Sequence, residues 1–194
     1  MKYEAYDDGF FPFIFKKGKG STVIVGVLVN EINNVEKIAW AKTPVDLGFS
    51  HQLIKEISGL LDGDLIFLDG VTYVGFDVVD PFKLYKEVRK PIIVFQQYPL
   101  DIEKIRKALG KHFANGEKRF EVIEKVYERL IYVDTAWRPV QILNIGIDIE
   151  TAIEIINKTC IYSPIPEPLR IADKIASAIS RIIIGFDTRS YKKL

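Results

Sequence analysis

Apolar residues along this chain recur at two spacings. In short runs nearly every residue, or every second one, is apolar, and between these runs lie segments whose apolar positions fall three or four apart. The first spacing belongs to strands and the second to helices. Lys2 to Tyr6 predicts a short first strand. Ser21 to Asn30, rich in β-branched residues, predicts a second, and the alternating Val35 to Ala41 a third. Asn33-Asn34 between them is hairpin-turn chemistry. Ser50 to Leu61 has helical spacing and opens on a serine that can cap it. Asp64 to Asp69 predicts a fourth strand, Pro81 to Arg89 a short helix with proline at its start, and Pro91 to Phe95 a nearly all-apolar fifth strand, as expected when both faces are covered. Asp101 to His112, Phe120 to Ile131, Glu150 to Lys158 and Pro168 to Ile184 predict further helices, and Val140 to Ile145 a sixth strand or an extended segment.

Two hairpin-linked strands therefore precede strands that need crossovers. That order implies an α/β protein with a mixed sheet and helices on both faces. A ribonuclease H-like fold has this order of elements, with its first and fourth strands as neighbours. The 194 residues suit one domain, 1–194, with a real core.

Composition narrows the classes. Hydrophobic content of 48% and charged content of 27% are ordinary for a soluble globular protein, and no apolar run approaches the ~20 residues that span a bilayer. The opening MKYEAYDDG carries acids where a secretory signal carries a basic start. One cysteine, Cys160, excludes an internal disulfide framework and fits a cytoplasmic setting; its place near the end of a helical pattern reads as a small core residue. A net charge of +1 does not mark the whole molecule as a nucleic-acid binder. Lysines 16, 17 and 19 share one Gly-rich loop, and Lys104, Arg106, Lys107, Lys111, Lys118 and Arg119 follow one another further on. Such runs are usually solvated faces, and they suit phosphate contacts only if they flank an acidic centre.

That centre is suggested by LDGVTYVGFDVVD, Leu68 to Asp80, which follows directly on DLIFLD. A strand ending on an acid and a glycine puts a carboxylate at the carboxyl edge of a sheet, where open α/β sheets place ligands. Asp7 ends the first predicted strand, Asp69 the fourth, and Asp46 immediately precedes the first helix. Acids on adjacent strands, ~4.8 Å apart, can share a metal. Mg²⁺ takes oxygen ligands and keeps several waters, so two or three carboxylates suffice; the ion would offset their repulsion and can activate water toward a phosphodiester. With only His51 and His112 and one cysteine, no zinc cluster competes. The same residues have simpler readings: Asp7-Asp8-Gly9 as a β-turn and Asp46 as an N-cap. Asp8 faces away from Asp7 if the strand continues. Asp80, before Pro81, reads as a cap; His51 reads as a partly exposed cap-region residue, and His112 suits the negative end of a helix dipole.

Three segments carry a resemblance. AYDDGFF (Ala5 to Phe11) resembles a Gly-Ile-Asp-Asp-Gly pattern with its first two residues replaced. LDGVTYVGFDVVD with PIIVF after the next helix matches a central segment. ETAIEIINKTCIYSPIPEPLRIADKIASAI matches a C-terminal one, whose core Pro166-Glu167-Pro168-Leu169-Arg170 and Ile171-Ala172-Asp173 is close to a PEPTR-x-AD sequence. On these motifs the chain resembles the archaeal endonuclease dU family, which is similar to endonuclease V. The resemblance implies a ribonuclease H-like fold and cleavage of nucleic acid, DNA or RNA, near a deaminated base such as uracil or hypoxanthine, with Mg²⁺ or Mn²⁺. It matches Asp7 and Asp69 to the two metal-ligating aspartates. The endonuclease V glutamate before the first helix falls on Gly48, so Asp46 is the substitute; its histidine position falls on Ile145, and its PYIP wedge is missing, with Trp40 and Pro44 nearby. Catalytic and metal residues are thus expected to be Asp7, Asp46 and Asp69. A non-catalytic nucleic-acid binder on the same scaffold, or a metal-dependent nucleotide-processing enzyme, are the alternatives. Arg170 is expected to pair with an acid rather than hold a phosphate.

Overall fold

In a computed structural model, which describes residues 1–185, the long apolar runs become the middle of one seven-stranded sheet. The expected domain, 1–194, extends past the described residues. Strands β1 (Lys2–Asp8), β2 (Ser21–Asn30), β3 (Val35–Pro44), β4 (Leu65–Asp69), β7 (Ile92–Gln96), β8 (Ile131–Val133) and β9 (Val140–Ile145) lie in the order β3-β2-β1-β4-β7-β9-β8. Strand β1 is parallel to β4 and β4 to β7, while the remaining pairs are antiparallel. The mixed sheet predicted from the element order is present, with the first and fourth strands adjacent.

Alternation along the strands divides the core into two layers. Tyr6, Ile24, Leu28, Ile66, Leu68, Ile92 and Val94 face one side, where α1 (Ser50–Leu61), α2 (Pro81–Val88), α3 (Ile102–His112) and α4 (Gly116–Tyr127) add Ile54, Leu84, Leu109 and Phe120. Ala5, Val23, Val25, Val27, Phe67, Ile93 and Phe95 face the other, under α5 (Ile149–Thr159) and α6 (Glu167–Ile184). The second face is lined by small residues where α6 crosses it: Ala172, Ala176 and Ser180 follow one another at four-residue intervals and are buried. A Cβ added at Gly9, just past β1, would lie 2.4 Å from Ser180 Cβ. Small residues on both partners thus draw α6 down onto the end of β1. Among the described residues no helix is long and apolar enough to cross a membrane.

Two local expectations are corrected. The helix expected over Phe120 to Ile131 begins earlier, at Gly116, and ends at Tyr127; the last residues instead turn and enter β8 against β9. Ser50 is the first helical residue of α1 rather than its cap, and Phe49 precedes it with no side-chain cap. The cap comes from a distant segment, as described below. The pattern also did not reveal a two-stranded hairpin, β5 (Thr72–Tyr73) with β6 (Asp77–Val78), or a one-turn 3₁₀ helix at Phe13–Phe15; both are shorter than the periods that announce an element. Asp80 does cap α2, accepting from the N–H groups of Phe82 and Lys83. Cys160 is buried, and burial pushes its thiol up to about 12, so it behaves as a core residue.

Gly26 in β2 marks where α1 presses hardest on the sheet. A Cβ there would sit 2.5 Å from Ile57 Cγ2 and 2.8 Å from Tyr6 Cε1. Gly26→Ala should therefore destabilise the protein by about 1–3 kcal/mol through overpacking, read as a lower urea midpoint at constant m-value. An unchanged midpoint would show that α1 can step back from the sheet.

Candidate functional site

The register of β1 and β4 sets the site. Their last parallel pair is Tyr6 with Leu68, and the next residue on each strand is an aspartate, Asp7 and Asp69. Equivalent positions on neighbouring parallel strands point the same way. Asp7 and Asp69 share the alternation of Ala5 and Phe67, toward α6. Both line one hollow of about 280 Å³ at the carboxyl edge, together with Asp8, Gly70, Thr72 and Gln96. The Asp69 N–H donates to the Tyr73 hydroxyl (3.0 Å), and Gly70 turns with φ +66, so the strand leaves the site without covering it.

The charges there are poorly compensated. Burial, then the neighbouring charges of Asp8 and Asp69, push the Asp7 carboxyl up to about 8. Burial pushes Asp69 up to about 6, with Asp173 adding to it. Asp8 is also raised to about 6 by burial, against two backbone hydrogen bonds. Asp69 is open to water on one side, which weakens the energy behind its shift and leaves the direction intact. None of the ion pairs among the described residues involves Asp7, Asp8 or Asp69. At the opposite rim the contrast is plain: Glu4, fully buried, receives Lys90 Nζ at 2.6 Å, the Gly63 N–H and the Tyr6 hydroxyl.

Asp173 is the residue that sequence reasoning passed over. From α6 its charge is close enough to raise the pKa of both Asp7 and Asp69, while Lys174 Nζ sits on Asp173 Oδ2 at 2.8 Å. The signal was present in the Ala172-Asp173 step, since a helix that buries Ala172 and Ala176 carries residue 173 beside that contact. Among the described residues no three acid, histidine or cysteine side chains already converge as ligands on one point.

The structure does not bring Asp46 to the pair. Asp46 has φ +70, and its oxygens accept from the N–H groups of Phe76 (2.8 Å) and Lys17 (2.9 Å). It lines a different hollow, separated by Phe76. Asp77, also buried, is the cap of α1: it accepts from the N–H groups of Gly48, Phe49 and Ser50 and from the Ser50 hydroxyl. Asp8 accepts from Val74 N–H at 2.8 Å, and the Val74 carbonyl accepts from Asp46 N–H. Val74 is held between them at φ +48, a left-handed conformation that a β-branched residue adopts only under constraint. Arg119 joins the same network, donating to the carbonyls of Phe76 and Asp46 and lying 3.6 Å from Asp77. Arg119 is therefore committed to the fold, and Arg106 and Lys104 pair with Glu117 and Asp101. Arg170 pairs with Glu167 at 2.8 Å.

Comparison with known proteins gives a placement consistent with this geometry. The model of the family described as endonuclease dU matches residues 1–180. The chain belongs to the endonuclease dU family. A UPF0215 protein of Pyrococcus furiosus is 38% identical over 186 residues, covering 91% of this chain and 90% of the relative. A protein of unknown function from Archaeoglobus fulgidus has a solved structure with TM-score 0.77 at 23% identity, covering 92% and 97% of the two chains. Endonuclease V of Ciona intestinalis, solved with a 24mer DNA containing an inosine followed by a ribo-adenosine, has TM-score 0.57 at 16% identity, covering 95% and 85%. The fold is thus ribonuclease H-like. In this family member the two positions where the endonuclease V pattern is broken have structural duties: Gly48 donates its N–H to Asp77, and Ile145 is buried in β9.

A carboxyl whose pKa is higher in the fold than in the unfolded chain favours the fold when protonated. The contribution of Asp7, Asp8 and Asp69 is complete below about pH 4 and is lost as the pH rises through 6 and on to 8. In protein stripped of divalent ions, Asp7→Asn should therefore raise the melting temperature at pH 8, and less so at pH 5. After solvent screening the gain is on the order of 1 kcal/mol, or about 2–4 °C for a chain of this size. Melting by calorimetry at both pH values checks it; a variant no more stable than its parent at pH 8 would mean the acids are not in conflict.

Proposed function

We propose that this protein is a divalent-metal-dependent endonuclease acting on nucleic acid that contains a deaminated base, such as uracil or hypoxanthine. The observation that carries the reading is the side-by-side placement of Asp7 and Asp69 on parallel strands, in one hollow and without a cationic partner among the described residues. Hard carboxylate oxygens with raised pKa values and no lysine or arginine among the described residues paired to them suit Mg²⁺ or Mn²⁺, which bind through a few carboxylates and retained waters. Asp7 and Asp69 would hold the ion, with Asp173 facing them from α6. When bound, the ion supplies Lewis acidity that offsets the charge gathering on a phosphodiester under attack. Asp8 lines the same hollow, with one oxygen on Val74 N–H, and is the carboxylate beside the pair that would accept a proton from an attacking water. Asp46 and Asp77 keep the loops in place and stand outside the ligand set in this reading. The family's description as an endonuclease, and the inosine-containing DNA held by the Ciona endonuclease V, support the nuclease and the choice of lesion.

The decisive assay incubates purified protein with oligonucleotides bearing one uracil or one hypoxanthine, with Mg²⁺, Mn²⁺ or chelator. Cleavage should require the ion, and Asp69→Asn should abolish it while leaving the circular dichroism spectrum unchanged. Undiminished cleavage by that variant rejects the assignment. The lost glutamate and histidine positions, Gly48 and Ile145, favour one other outcome: tight binding of the same oligonucleotides without products across metals and pH, which would make the protein a non-catalytic binder. Protons and cation compete for the same oxygens, so Mn²⁺ should raise the melting temperature more at pH 8 than at pH 6, and Asp7→Asn should erase that rise. An equal rise in the variant would place the ion elsewhere.

A further inference from the structure

Phe76 is shared between the acidic hollow and a second one of about 480 Å³, a volume within the roughly 300–1,000 Å³ typical of ligand pockets. One wall is the loop that follows β1. After the 3₁₀ turn Phe13–Phe15, the chain reverses at Lys17 (φ +58) and Gly18 (φ +74). Hydrogen bonds then fasten it: Gly18 N–H to Val45 carbonyl, Val45 N–H to Gly20 carbonyl, Gly20 N–H to Phe15 carbonyl and Lys17 N–H to the Asp46 carboxylate. The loop is a fixed shelf carrying Lys16, Lys17 and Lys19 at the hollow. None of these three ammonium groups forms an ion pair among the described residues. Lys16 Nζ instead lies 4.8 Å from the centre of the Phe13 ring and 5.9 Å from that of Phe76. Phe13 is 79% exposed and supports nothing in the core. The far wall is Phe113, edge-on to Phe76 at 5.8 Å and backed by the Arg119 guanidinium at 4.5 Å.

Ammonium groups without a carboxylate partner, beside an exposed ring, are the lining that unpaired nucleic acid selects, with phosphates on the cations and bases stacked on the rings once Lys16 Nζ moves from the Phe13 face to a phosphate. A duplex keeps its bases stacked on each other and would leave these rings unused. We infer that the hollow seats an unpaired nucleotide of the same strand whose phosphodiester meets Asp7 and Asp69, its base against Phe13 and Phe76 and its phosphates at Lys16, Lys17 and Lys19. This rests on the nuclease reading and adds a substrate class to it: single-stranded or locally opened nucleic acid.

The test measures binding with chelator present, so that cleavage plays no part. A fluorescently labelled single-stranded oligothymidylate is titrated by anisotropy at several salt concentrations against the wild type, Phe13→Ala, Lys16→Gln/Lys19→Gln and Asp69→Asn, all confirmed folded by thermal melting. Phe13→Ala should weaken binding about tenfold. The lysine double variant should flatten the slope of log K against log salt by roughly 0.7 for each phosphate it no longer neutralises. Asp69→Asn, which removes a negative charge where the phosphodiester is seated, should bind more tightly in chelator than the wild type does. Unchanged affinity and slope in both surface variants overturn the hollow while leaving the nuclease reading to the cleavage assay. Preference of the wild type for a duplex of equal length, undisturbed by either variant, overturns the unpaired class. A wild type that cleaves lesion-bearing oligonucleotides yet does not bind the probe overturns the inference alone.

Discussion

Two strands that run side by side and both end on aspartate force like charges to within about one strand spacing, ~4.8 Å. The order of strands and the Tyr6–Leu68 register make this unavoidable. Relief could have come from a lysine, as it does at the other rim, where Lys90 reaches Glu4 and Ser58 together. At the carboxyl rim no described lysine or arginine pairs with Asp7 or Asp69, and the charge of Asp173 on α6 raises both further. A fold that tolerates this in isolation gives up stability at neutral pH. That loss is the thermodynamic counterpart of affinity for a cation, because whatever neutralises the acids recovers it.

The other buried acids at this edge do something different, and the distinction lies in their partners. Asp77 meets three backbone N–H groups at the start of α1, and Asp46 meets two from loops far apart in sequence. A carboxylate whose oxygens each accept from a backbone N–H is held in place by the loops it joins, and part of its charge is offset there. Arg119 closes the network from α4 by donating to carbonyls on both loops. The floor of the site is thereby rigid, and the strained Val74 is tolerable because both its peptide groups are held, one by Asp8 and the other by Asp46.

Much of the sheet was legible in the residue pattern because burial on two faces writes itself into sequence: β2 and α1 begin and end where spacing placed them. The adjacency of Asp7 and Asp69 was legible too, because the parallel order of β1 and β4 sets their positions side by side, although β1 runs one residue further than expected, to Asp8. Asp46 could not be placed that way. Its position before α1 is compatible with reaching the rim, but a left-handed turn at φ +70 and the approach of Gly75, where a Cβ would lie 2.3 Å from Asp46 Oδ1, aim it at the loops. The hairpin of β5 and β6 that supplies Gly75 is two residues long on each side, below any period a sequence can display. Asp173 was hidden for the opposite reason. Its helix was plain, but how close α6 lies to β1 depends on Gly9, Ala176 and Ser180 meeting across the layer, a contact between distant segments.

The position of Gly48 shows why the departures from the endonuclease V pattern need not empty the site. A glutamate there would have open space around its Cβ but would have to adopt φ +88, a left-handed conformation that suits glycine. Asp77 already accepts from the N–H groups of residues 48, 49 and 50 at the start of α1, so the fold needs no acid at position 48 to cap that helix. Negative charge near the rim is instead delivered from α6, on the side to which Asp7 and Asp69 point. The loop side is thereby left to lysines and aromatic rings, the chemistry that a polyanion would meet there.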